Sequence, residues 1–71
     1  MNQKQVVKAA DRYLAASAAY TEATRLPLEE YRKVSLAYYN EIYKINLLDD
    51  RMRIWRHIEL KQAWADARRY Q

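Results

Sequence analysis

The chain has 71 residues, a formal net charge of +4, no cysteine, no glycine and a single proline. Without cysteine there is no disulfide and no thiolate metal site, and without glycine the phosphate-cradling loops and left-handed turns that depend on it are excluded. Hydrophobic residues make up 51% and charged residues 31%, which describes amphipathic helices rather than disorder, and no uncharged run approaches the ~18 residues that a membrane span needs.

The first element is a helix over residues 3–25. Val6, Ala10, Tyr13, Ser17, Tyr20 and Thr24 recur at alternating spacings of four and three, while Lys4, Lys8, Asp11, Arg12 and Glu22 fall opposite. The stripe alternates large and small residues, which lets a neighbouring helix approach closely. Its outer side carries Ala15, Ala19 and Ala23, placed there by helix propensity.

Pro27 ends this helix, because proline clashes with the preceding turn and biases Leu26 away from helical geometry. A second helix, 28–46, follows, with Glu29 and Glu30 where the N-terminal dipole favours acids. On it Leu28, Tyr31, Val34, Ser35, Tyr38, Tyr39, Ile42, Tyr43 and Ile45 cover an arc of roughly 200° at ~100° per residue. A face that wide implies two neighbours. Of the seven tyrosines four lie on this helix, and there is no phenylalanine, so each phenyl-type ring carries a hydroxyl that needs water or a partner. Tyr38 and Tyr39, being adjacent, are expected to point in different directions.

A break is expected near Asn46. Asn46, Asp49 and Asp50 are capping residues, Asn46-Leu47-Leu48-Asp49 approximates a capping box, and an unbroken helix would carry Arg53, Arg56, Lys61 and Arg68 into the apolar seam. The third helix is therefore predicted over 49–69, giving an all-α, compact three-helix bundle in a single helical domain, 1–71. The competing reading is a helical hairpin whose second arm runs unbroken from 28 to 70 and dimerises.

The third helix has two apolar stripes. Ile54, Ile58 and Ala65, flanked by Trp55 and Leu48, form one; Met52, Leu60, Ala63, Trp64 and Ala67, interleaved with Arg53 and Arg56, form the other. A helix packed on two others buries only one of them, so this helix alone is expected to have spare apolar face.

Catalysis is not expected. His57 is the only histidine, Ser17 and Ser35 are mid-helix, and the pairs Glu29-Glu30 and Asp49-Asp50 are explained by helix starts; adjacent helical residues diverge by ~100° and present no paired carboxylates. No metal or other cofactor is implied. Trp, Met and Arg are the residues enriched at protein interfaces. The predicted partner-binding set is Met52, Arg53, Arg56, Leu60, Trp64 and Arg68, extended by tyrosines of the second helix or the arm 2–8. The function expected is that of a small, basic, tyrosine-rich interaction protein, a regulator or inhibitor acting on a larger protein or nucleoprotein complex such as transcription machinery.

Direct DNA or RNA binding is an alternative. Residues 47–71 hold six bases, but four acids lie among them, and the remaining bases are spread over the chain, whereas nucleic-acid binders concentrate charge on one face. A structural homodimer is a second alternative. The acids also argue against a membrane surface, and residues 1–8 lack an apolar signal region, so the expected compartment is the cytoplasm.

Overall fold

A computed structural model of the chain describes residues 3–48 and 51–69. It is an all-α three-helix bundle: α1 spans Gln3–Glu22 and continues as a 3₁₀ turn over Ala23–Arg25, α2 spans Leu28–Asn46, and α3 spans Arg51–Arg69. Every helix touches the other two. Asp49 and Asp50, and with them the predicted cap and start of the third helix, lie outside the described residues, as do Asn2 of the arm 2–8 and Tyr70.

Glycine-free connections dictate how the helices end. At the first junction Ala23–Arg25 tightens into 3₁₀ geometry, the Leu26 N–H donates to the Ala23 carbonyl at 2.9 Å, and Leu26 is extended at φ −91°, ψ 156°, as a residue before proline must be. Pro27 stands just outside α2, and its carbonyl accepts the Tyr31 N–H at 2.9 Å. At the second junction the Leu47 N–H is shared between the Tyr43 and Lys44 carbonyls at 3.2 Å each, and the Leu48 N–H donates to Ile45 at 3.1 Å. Both turns are made entirely with negative φ among the described residues. This second turn excludes the unbroken 28–70 arm; Asn46 is the last residue of α2.

The core sits where the N-terminal half of α1, the C-terminal end of α2 and the first half of α3 converge. Val6, Ala10, Ile45, Ile54 and Ile58 are buried, with Ala9, Tyr13, Leu14, Leu48 and Trp55 packed around them. Each fully buried valine or isoleucine contributes ~1.5–3 kcal/mol, so five residues carry much of the fold. The predicted stripe changes at its end, where α1 gives way to the 3₁₀ turn: Ala23 is buried and Thr24 is exposed. Ala15 and Ala19 are on the outside as expected.

The bundle is flat, with extents of 38 × 36 × 15 Å, and α1 is its common support. Along most of its length α2 has one neighbour, not the two its wide face implies, because α3 meets it only near their junction. Leu28, Leu36, Tyr39 and Tyr43 on α2, and Leu47 immediately after it, are consequently exposed. Spare apolar face is thus not confined to α3.

Candidate functional site

The first half of α3 is anchored and the second half is not. Ile54 and Ile58 enter the core, Trp55 meets Tyr13 edge-on with ring centroids 5.2 Å apart, and the Lys61 ammonium pairs with Asp11 of α1. From Glu59 to Arg69 every residue is exposed, including Ala65 of the stripe expected to face inward. The helix outruns the elements that could cover it.

All six predicted partner-binding residues are exposed, Met52 at 78%, Leu60 at 56% and Trp64 at 67%. They do not form one strip. Met52, Arg53 and Arg56 line one open furrow with Trp55, Glu59, Leu60 and Ala63, whereas Trp64 and Arg68 line another with His57, Leu60, Lys61 and Ala65. Leu60 belongs to both. The reason is helical geometry: positions 52, 56, 60, 64 and 68 advance by four, so the line drifts by ~40° at each step and crosses from one side of the helix to the other.

The two furrows differ in charge. The first contains Glu59 among its arginines; the second contains lysine, arginine and histidine and no acid. Sequence reasoning passed over His57, Lys61 and Ala65 as members of this surface. Their spacing of four, beside Leu60, Trp64 and Arg68, was the available signal. His57 also lies beside Gln3, Val6 and Val7, where the arm becomes the first turns of α1, and its Nε2 is shielded from solvent without a hydrogen-bond partner, the one side-chain atom among the described residues in that condition.

The tyrosines form a separate system between α1 and α2. Tyr20 stacks on Tyr38 at 4.6 Å and 20°, and stands edge-on to Tyr39 at 6.2 Å and 72°. The adjacent pair Tyr38 and Tyr39, expected to diverge, thus both reach one ring from different angles, with their own centroids 5.4 Å apart. Tyr13 and Tyr38 share a hydroxyl–hydroxyl hydrogen bond at 3.5 Å, and Tyr20 and Tyr31 another at 3.4 Å. The bond to Tyr38, then burial, pushes the Tyr13 hydroxyl up to about 12. Tyr20 is raised chiefly by its bond to Tyr31, and Tyr39 by Tyr20. The hydroxyls of Tyr13, Tyr20, Tyr31 and Tyr38 pair among themselves, so these four rings serve the seam between α1 and α2, while Tyr39 remains exposed.

Among the described residues no group of three or more potential metal ligands converges, and no helix is long and apolar enough to cross a membrane. No known protein family, curated protein or solved structure matches the chain.

Proposed function

We propose that this chain is a small, non-catalytic interaction protein, a regulator or inhibitor that docks on an acidic surface of a larger protein or nucleoprotein complex, transcription machinery included, through the outer half of α3. The observation that carries this reading is the acid-free furrow of His57, Leu60, Lys61, Trp64, Ala65 and Arg68. It combines an exposed tryptophan, an apolar floor and cations at its rims, the combination from which interface hot spots are built. Carboxylates of the partner would meet Arg68 as charge-assisted hydrogen bonds. The furrow stands on a formed helix, so docking costs little ordering entropy.

Single-stranded nucleic acid is the second reading, favoured by the same lack of acids beside Trp64, since the indole can stack on a base while Arg68 meets phosphate. Asp11, paired with Lys61 at the edge of this surface, offsets part of the charge and favours the protein partner. Affinity capture with the intact chain, run with and without nuclease, tests both. The protein reading expects nuclease-resistant capture that Trp64→Ala and Arg68→Glu each weaken at least ~10-fold, equivalent to about 1.4 kcal/mol. Capture abolished by nuclease assigns the furrow to nucleic acid, and capture indifferent to both substitutions removes α3 from the interface.

A further inference from the structure

We propose that the outward face of α2 pairs with the same face of a second copy of this chain, antiparallel, about a two-fold axis passing between Ala37 and Tyr38. The pairing is independent of the α3 furrow and leaves its residues outside the seam.

The first observation is area. A folded monomer of 8.6 kDa is expected to expose about 4,700 Å². This chain exposes 5972 Å², an excess of about 1,300 Å² over that expectation, and a stable dimer removes about 800 Å² from each partner. That excess belongs to the whole chain, and the large hydrophobics it exposes lie mostly on α3 and on the outward side of α2. The wide face of α2 asks for a second neighbour, and α3 supplies one only at the junction.

The second observation is the spacing of what is left uncovered. Leu28, Arg32, Leu36, Tyr39, Tyr43 and Leu47 are all exposed, the leucines and tyrosines at 55–65%. At ~100° per residue they fall within an arc of about 100° that runs the length of the helix. Their steps of four, four, three, four and four read the same in both directions. Two such helices laid antiparallel therefore place Leu28 against Leu47, Leu36 against Tyr39, and the Arg32 guanidinium over the Tyr43 ring, each contact occurring twice. Self-complementarity of this kind is what an isologous interface requires, and a guanidinium on a tyrosine face is favourable.

Charge does not oppose this register. On one flank of the stripe Lys44 of one copy comes level, within a turn, with both Glu29 and Lys33 of the other, and it also pairs with Glu41 of its own helix at 3.5 Å, so the flank carries mixed charge. None of the six stripe positions is a carboxylate, and Glu29 lies at the edge of the arc, at the azimuth of Leu47. A parallel pairing would instead set Arg32 against Arg32.

Sedimentation equilibrium of the intact chain at about 50 μM, well above a Kd of ~1 μM, should give the mass of two chains. Leu36→Glu and Tyr43→Glu each put two charges into the seam and should weaken pairing at least ~100-fold, with helicity by circular dichroism unchanged because both side chains are exposed in the single chain. Orientation is read by disulfide cross-linking, which the absence of native cysteine keeps clean: Leu28→Cys mixed with Leu47→Cys should give the mixed dimer, and Leu28→Cys alone should not cross-link. A single-chain mass for the unsubstituted protein would overturn the proposal. So would a dimer indifferent to both glutamates, or efficient self-linking of Leu28→Cys.

Discussion

The seam between α1 and α2 and the outer half of α3 draw on the same materials, aromatic rings and long aliphatic chains, with opposite outcomes. In the seam Tyr13, Tyr20, Tyr31 and Tyr38 find one another, and their hydroxyls pair among themselves. On α3 Leu60 and Trp64 are 56% and 67% exposed, because no other helix covers this element from Glu59 onward. What separates a structural ring from an available one here is the presence of an opposing helix, not the identity of the residue. Composition alone could not make that distinction.

The sharpest way to break the comparison is at the buried root of α3. Ile54 is fully buried, and Ile54→Ala should cost ~2–5 kcal/mol through lost transfer energy and an unfilled cavity, measured by urea unfolding. A cost below ~1 kcal/mol would mean that α3 is not anchored there.

The seam is probed next by Tyr13→Phe, which deletes one hydroxyl bond and should cost about 1 kcal/mol at neutral pH. Its pH dependence is more specific. Tyrosine ionises near 10.0 in the unfolded chain but at about 12 for Tyr13 in the fold, so the unfolded chain releases its proton first as pH rises. The contribution is whole below pH 10.0 and is lost on the way to about 12. Tyr13→Phe should remove that part of the alkaline destabilisation, read as a shallower fall of unfolding midpoint with pH.

Smaller effects are expected outward. Asp11→Ala breaks an exposed ion pair with Lys61 and should change stability by at most ~1 kcal/mol, less at high salt. Trp64→Ala should leave the unfolding midpoint within an equivalent of ~0.5 kcal/mol while weakening capture of the partner at least ~10-fold. A large loss of stability in that variant would show the ring to be structural, and the contrast between the two regions would collapse.

Much of this was readable in advance, for identifiable reasons. Pro27 marks the first junction unaided, and the slip of hydrophobic phase at Asn46 marks the second even without glycine. The inner stripe of α3 resolves correctly at Ile54 and Ile58. Four features were not legible. The burial of Ala23 in place of Thr24 falls where α1 gives way to a 3₁₀ turn, which the helical periodicity does not announce. The exposure of α2 depends on where α3 is sent, which no local pattern encodes. Leu36 falls outside the arc drawn toward the interior, and gains meaning only beside Leu28, Tyr39, Tyr43 and Leu47. The division of the α3 residues between two furrows follows from the four-residue drift, which a list of positions conceals.

The two tryptophans sit in opposite environments: Trp55 is half-buried and edge-on to Tyr13 at 5.2 Å, and Trp64 is 67% exposed. Their emission is therefore divided by task. Trp55 lies at the end of a line of tyrosines that can pass excitation to it, so its signal reports whether the helices are assembled. Trp64 would report a partner docked on the outer half of α3, as proposed above. With Trp64→Phe the remaining indole should follow unfolding, and with Trp55→Phe it should follow the proposed docking, so the two positions offer separate optical readouts of integrity and of occupancy.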